Sequence, residues 1–331
     1  MQSFIVSFSI IIISLLSGYA FNAFIVHGMI KLSAEQTTNL RLTMQKTALL
    51  GIYPVAFLGA IWIADLSEPL YFLLPVVGIS ALATGLVYGL TVSRLLHLPP
   101  LRAGVFATSA SSTNLGAIGA LVVFILLGEP GFALVPFYKL LEELWNYSFL
   151  FPIARAYGER AQHTHCGKEQ TSFIAGLLKV LRDPFLLVAL SAVSLGLVMN
   201  FMQISRPVFY TGLNKILVPT GTTLLLFSIG MRLRFAVTRA DLRAGLLIVL
   251  GKSVIVPLVV SAIALALGLG QTPDGLGLKL VLILSSMPVA FVSLVPPTLY
   301  KLDQDLAGSL WLISNASLLV VVPVLSLLLQ I

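Results

Sequence analysis

Apolar stretches long enough to cross a bilayer recur from one end of this chain to the other. A helix needs about 20 mainly apolar residues to span the hydrocarbon. Ten stretches qualify, at roughly 4–26, 40–63, 70–93, 102–127, 132–156, 179–200, 208–231, 243–269, 278–299 and 305–330. Only 10% of the residues are charged, against about a quarter in an ordinary soluble domain, and mean hydropathy is +1.00. So apolar a chain cannot cover itself with water-compatible surface, and lipid is its expected solvent. The longest connection, Ala156 to about Gly176, is too short for a soluble domain, and no GxxxxGK[ST] phosphate loop is present to harness a nucleotide. The opening MQSFIVSFSIIIISLL lacks a basic leader and a small-residue cleavage site, so it reads as a retained first span. The one cysteine, Cys166, forms no internal disulfide and says nothing about redox compartment.

The net charge of +7 is sorted by connection rather than gathered into a nucleic-acid patch, so no nucleic-acid partner is expected. Lys31, Arg41 and Lys46 lie near the first connection, and Arg94 and Arg102 flank the third. Arg155, Arg160, Lys168, Lys179 and Arg182 surround the fifth; Arg232, Arg234, Arg239 and Arg243 crowd the seventh; Lys301 lies in the ninth. That is 15 of the 20 Lys and Arg. The intervening connections read DLSEP (65–69), GEPG (128–131) and QTPDG (271–275). The positive-inside rule makes the odd connections cytoplasmic. Both termini then lie outside the cell membrane, which requires an even number of spans.

The fifth connection divides the spans five and five, giving residues 1–157, a cytoplasmic linker at 158–176, and residues 177–331. Because five is odd, the second half enters the membrane inverted relative to the first. Ser111-Ser112-Thr113-Asn114 aligns with Ser285-Ser286-Met287-Pro288 at an offset of 174, while Asn146…Pro152 and Asn315…Pro323 match at 169 and 171. Inverted repeats bring broken helices together near the midplane, where backbone groups released by the breaks line a buried site. The expected breaks are 113–116 with Gly119 in span 4, and Pro288 followed by Val295-Pro296-Pro297 in span 9. Proline removes a donor and clashes with the preceding turn; glycine lets the chain unwind.

At these residues the chain resembles the auxin efflux carrier family, also called PIN-like membrane transport proteins. NLGAIGALVVFILLGEPGFAL (114–134), LRDPFLLVALSAVSLGLVMN (181–200), LVPTGTTLLLFSIGMRLRF (217–235) and SSMPVAFVSLVPPTLYKLDQDLAGSLWLISNASLL (285–319) carry the resemblance through their serial order. It implies an all-α membrane protein of ten helices in a 5+5 inverted repeat, with broken, crossing helices in spans 4 and 9. It further implies a scaffold of spans 1, 2, 6 and 7, a mobile transport domain of spans 3–5 and 8–10, a homodimer, and elevator-like secondary transport of small organic anions such as auxin, malate or malonate. The sequence departs from the family pattern in two places. Gly119-Ala120-Leu121 lacks the usual first-crossover proline, and Val292-Ser293 stands where an asparagine often follows the second-crossover proline. The substrate is therefore left open.

Asn114 is the leading candidate for the substrate site, since its amide donates to a carboxylate and also caps a broken helix. Ser111, Ser112, Thr113, Ser285 and Ser286, beside Pro288, either add donors or simply pack helices closely. In span 5, Lys139, Glu142, Glu143 and Asn146 share roughly a 100° stripe of a straight helix. Charges at that depth must face inward and pair. Lys139 is expected to pair with Glu143, and Lys252 of span 8 to neutralise the remaining carboxylate or hold a substrate carboxylate. The cluster is either a proton-coupling device or a permanent charge network.

His163, His165 and Cys166 have no partner cluster and read as solvated; His27 and His97 sit near span ends; Trp62, Tyr71 and Tyr210 suit an interfacial belt. Gly85 and Gly89 permit a close helix contact. No metal site or cofactor is expected. Neither HExxH, a paired GxSG nor an intramembrane aspartate pair is present, so no enzyme is expected. The alternative function is a sodium-coupled organic-anion symporter of the bile-acid transporter type.

Overall fold

The computed structural model describes residues 2–162, 184–231 and 238–329. All regular elements among them are helical. Seven helical stretches are long and apolar enough to cross a membrane: Ser9–Val26, Ala34–Trp62, Pro69–Leu95, Pro100–Ala161, Gly212–Gly230, Arg239–Ala266 and Gln304–Leu328. Their outer faces carry bare apolar side chains, including Ile13, Val87, Leu258, Val320 and Leu327. Pro184–Phe201 is a further apolar helix, and Leu276–Ser285 is followed by an interruption before Val295–Leu299. The linker expected at 158–176 falls mostly outside the described residues, as do His163, His165, Cys166, Lys168, Lys179, Arg182, Arg232 and Arg234.

Three helices widen into a π turn just ahead of a proline: Thr47–Ile52 before Pro54, Asn146–Leu150 before Pro152, and Gly251–Ile255 before Pro257. A proline ring collides with the carbonyl four residues back and offers it no hydrogen bond. Opening the turn by one residue relieves the clash without ending the helix. Span 5 also differs from the straight helix expected over 132–156. Gly128, at φ 68° and ψ −162°, kinks the Ala120–Lys139 segment, and a turn at Leu140–Leu141 separates it from the helix beginning at Glu142.

Contacts group the chain into two compact units, each drawing on both sequence halves. The first comprises Met1–Ser67, Gly116–Pro136 and Asp183–Arg234; the second comprises Glu68–Leu115, Phe137–Arg182 and Phe235–Ile331. In the first unit, Gln2–Val26 packs against Tyr210–Gly230, so closely that a Cβ on Gly18 would stand 2.1 Å from the Phe227 carbonyl oxygen. Pro184–Phe201 packs against Tyr53–Trp62. At the end of the latter helix, Asn200 Nδ2 donates to the carbonyls of Ile61, Trp62 and Ala64 at 3.0, 3.1 and 2.8 Å, satisfying acceptors the helix leaves open. Trp62 Nε1 donates to the Ile204 carbonyl at 2.7 Å. The Gly116–Pro136 segment joins this unit through the Phe57–Phe132 stack, with ring centroids 4.6 Å apart, and a 3.3 Å bond from Thr222 Oγ1 to the Ala117 carbonyl.

In the second unit, Leu74–Leu95 packs against Pro100–Ser111 across Gly85 and Gly89, which abut Ala110 and Ala107. A Cβ on Gly85 would lie 2.3 Å from the Ala110 carbonyl oxygen, so only glycine allows this approach. Arg239–Leu250 packs against Gln304–Ala316, and Val256–Ala266 against Leu276–Ser285. Arg102 ties three helix starts together: it lies 2.5 Å from Asp241, which closes a capping box with Thr238, and 3.9 Å from Asp303, the N-cap residue of Gln304–Ala316.

Candidate functional site

The second unit holds two interrupted helices that meet. Pro100–Ser111 opens with Pro100 at its first position, where the missing N–H has no intrahelical role. It stops at Ser112, whose backbone is extended at φ −87° and ψ 141°. Thr113 and Asn114 follow without helical structure before the π turn Leu115–Gly119. Across from them, Leu276–Ser285 ends at Ser286, and the chain runs irregularly through Pro288 to Ala290.

The two breaks bond through their backbones: the Asn114 N–H donates to the Pro288 carbonyl at 2.8 Å. Beside this contact, the Val289 N–H donates to Ser314 Oγ at 3.0 Å, and Asn315 Nδ2 donates to the Trp311 carbonyl at 2.7 Å and the Val289 carbonyl at 3.4 Å. Trp145 Nε1 similarly reaches Ser111 Oγ at 2.9 Å. The second break is thus held by Ser314 and Asn315, and the end of the Pro100–Ser111 helix by Trp145. Such bonds allow irregular backbone to remain buried.

All the sequence-derived candidates lie in this unit, and Ser111, Ser112, Thr113, Asn114, Ser285, Ser286 and Pro288 are buried at the breaks. The serines are engaged with backbone. Ser111 Oγ donates to the Leu82 carbonyl at 3.0 Å, Ser112 Oγ to Ser109 at 3.3 Å, and Ser285 and Ser286 Oγ to Leu282 at 3.3 and 2.7 Å. This favours their packing role. Thr113 is different, because its Oγ1 accepts a hydrogen bond from Lys252 Nζ. Lys252 is 2% exposed and sits in the Gly251–Ile255 π turn. That turn is braced by Tyr88, whose ring lies against Gly251 and whose hydroxyl donates to the Leu247 carbonyl at 2.6 Å.

The charged stripe is arranged otherwise than expected. Lys139 Nζ lies 3.7 Å from Glu142 Oε2, not beside Glu143, because the turn at Leu140–Leu141 removes the straight-helix register that favoured an i, i+4 pair. Lys252 does not form a close ion pair with the remaining carboxylate; it bonds to Thr113 and interacts through space with Glu142. Asn146 Nδ2 and the Tyr138 hydroxyl are buried without a hydrogen-bond partner among the described residues. Among the described residues, no group of three His, Cys, Asp or Glu is placed to hold a metal.

A second polar cluster, in the first unit, is centred on Glu129 of the GEPG connection, a residue that the sequence pattern did not single out. Glu129 receives Arg206 Nη1 at 2.9 Å, Arg206 Nη2 at 3.2 Å and Asn214 Nδ2 at 2.7 Å. Arg206 also donates to the Gly59 carbonyl at 2.9 Å, and Asn214 to Ala56 at 3.1 Å. Glu129 is the only acidic residue between Glu68 and Glu142, a signal that it has a dedicated partner; its identity depends on folding across 77 positions.

A sequence model of a family described as membrane transport protein matches residues 56–326. No match is found among curated proteins.

Proposed function

The chain belongs to the membrane transport protein family, the auxin-efflux-carrier-like family, and from that premise we propose that it is a secondary active transporter of small organic anions. Its substrate carboxylate is held where spans 4 and 9 cross. The single observation carrying this reading is the buried Lys252 ammonium on Thr113, one residue from the Asn114–Pro288 bond. A fixed cation beside an asparagine amide suits a carboxylate, which takes charge-assisted hydrogen bonds from both. Asn114 is the proposed amide donor and Lys252 the counter-charge; the serines shape the break.

The proposed architecture has ten spans. Gly128 divides the Pro100–Ala161 run into two, and Pro184–Phe201 and the interrupted Leu276–Leu299 stretch complete the number. Side-chain contacts agree with an alternating topology. Arg102, Asp241 and Asp303 join the third, seventh and ninth connections, whereas Trp62 and Glu129 join the second and fourth to the sixth. The two buried breaks, one in each half and joined by the Asn114–Pro288 bond, support an inverted repeat of 1–157 and 177–331. In this reading the basic connections are cytoplasmic, both termini are outside the cell membrane, the second unit moves as the transport body in an elevator-like cycle, and the protein works as a homodimer.

A sodium-coupled symporter requires a cation site lined by oxygens beside the crossover. The Lys252 ammonium already stands there and repels a second cation, so the sodium-independent reading is preferred. A thermal-shift screen of the purified chain against mono- and dicarboxylates, with and without sodium, tests it. Stabilisation by a carboxylate in sodium-free buffer is expected. Stabilisation only with sodium, or by none of the carboxylates, would overturn the proposal.

A further inference from the structure

Four ionisable side chains gather beside the crossover: Lys139, Glu142, Glu143 and Lys252. Their formal charges sum to zero. Lys252 and Glu142 form the inner part of the group; Lys252 is 2% exposed, and the Glu142 side chain is 11% exposed. The charged groups facing Glu142 are Lys139 from the preceding helix, Glu143 beside it, and Lys252 from the Gly251–Ile255 turn, and the Tyr138 hydroxyl faces it as a neutral titratable group. Glu143 makes no ion pair among the described residues, while Glu142 lies 3.7 Å from Lys139 and interacts with Lys252. Lys252 in turn reaches Thr113 at the break. The short helix that carries Glu142 is tied to the same break by the bond from Trp145 Nε1 to Ser111 Oγ, so Glu142 and Lys252 both stand beside the break that holds the proposed substrate site.

Resting on the carboxylate-transport reading, we infer that Glu142 is the coupling residue: it takes up one proton for each carboxylate that binds Lys252, making the protein a proton–carboxylate symporter. In the empty carrier the two lysines and the two glutamates cancel, with Glu142 3.7 Å from Lys139. A substrate carboxylate arriving alone leaves one uncompensated negative charge and meets repulsion from Glu142. When a proton neutralises Glu142, Lys252 is available to the substrate and the inner group is neutral again. The fully loaded and the empty carrier are both neutral within; the half-loaded forms carry a net charge. An uncompensated charge deep in a membrane protein is disfavoured on the order of a hundredfold, which suppresses crossing by either half-loaded form. The unpartnered Asn146 amide, itself only 2% exposed, and the Tyr138 hydroxyl supply two further donors in the same stretch of chain for an arriving oxygen. The proton is carried on a Glu142 carboxyl oxygen and released after the substrate leaves Lys252; no bond of the substrate is made or broken.

The test uses the full chain in liposomes loaded with pyranine, with membrane potential clamped at zero by potassium and valinomycin, and [14C]lactate and [14C]malonate as probes. Wild type should accumulate a transported probe about tenfold per unit of inward pH gradient, the thermodynamic limit for one proton, and pyranine should report matching acidification. Glu142→Gln mimics the protonated state permanently. It should retain probe exchange across the membrane yet lose gradient-driven accumulation, because the empty carrier keeps an unbalanced Lys252. Exchange in Glu142→Gln also shows that the variant is folded. Accumulation by Glu142→Gln equal to wild type, or wild-type exchange that ignores the pH gradient, would overturn the coupling role while leaving the carboxylate site standing. Failure of wild type to exchange either probe would overturn the coupling inference together with the reading beneath it.

Discussion

Removing one partner of the Glu129–Arg206 pair should destabilise the first unit far more than removing both. The Arg206 and Glu129 side chains are 7% and 19% exposed, so solvent screens them little. Glu129 accepts two hydrogen bonds from the guanidinium and a third from Asn214, and no other cation among the described residues is bonded to it. In Arg206→Met the carboxylate keeps only the Asn214 amide and remains buried with its charge unbalanced. Losing one member of a buried pair costs about 3–5 kcal/mol. The residual exposure of Glu129 and its retained amide bond argue for the lower end, about 3 kcal/mol. Glu129→Leu should fall in the same range, because Arg206 then keeps only the Gly59 carbonyl and its contact over the Tyr210 ring. The double variant Glu129→Leu/Arg206→Met buries no charge and should recover most of the loss. Unfolding of the four proteins in bicelles by titrated sodium dodecyl sulfate, followed by tryptophan fluorescence, closes the cycle. Single variants within about 0.5 kcal/mol of wild type, or a double variant as unstable as the sum of the singles, would refute the argument.

Other consequences are simpler. Gly85→Val drives a side chain into the Ala110 carbonyl and should destabilise the second unit by about 1–3 kcal/mol, whereas Gly51→Ala, which meets no atom within 4 Å, should not; the same unfolding titration compares them. Arg102→Gln removes the contact that joins the starts of Arg239–Leu250 and Gln304–Ala316, and with Arg102 28% exposed the expected loss is on the order of 1 kcal/mol, read as faster hydrogen exchange at those two helix starts. Asn114→Ala keeps the backbone bond to Pro288 but deletes the amide, so carboxylate affinity measured by calorimetry should fall roughly tenfold to a hundredfold. Unaltered affinity would remove Asn114 from the site.

Much of the fold is written in the sequence because crossing a bilayer is a matter of length and apolarity, both visible without tertiary information. The breaks were visible for a related reason: Ser112-Thr113-Asn114 and Met287-Pro288 are poor choices for an uninterrupted apolar helix. The turn at Leu140–Leu141 was not, since neither residue has a local tendency to stop a helix. With that turn missed, the i, i+4 rule selected Glu143 as the partner of Lys139, and the structure places Glu142 there instead. The π turns had a readable cause in Pro54, Pro152 and Pro257, though a proline alone does not say whether a helix will kink, end or widen. Glu129 was conspicuous as an isolated acid, yet nothing near it in the chain names Arg206 or Asn214. Lys252 was legible as a buried cation in need of a partner; that the partner is Thr113 at the break follows only from the folded arrangement.

The most direct test of a carboxylate site at the crossover is a structure of the full chain in lipid nanodiscs with the carboxylate that stabilises it most strongly. The ligand's carboxylate should lie within hydrogen-bond distance of Asn114 Nδ2 and Lys252 Nζ, between Thr113 and Pro288. A carboxylate bound elsewhere, with Lys252 still on Thr113 and the crossover closed by protein contacts alone, would contradict it.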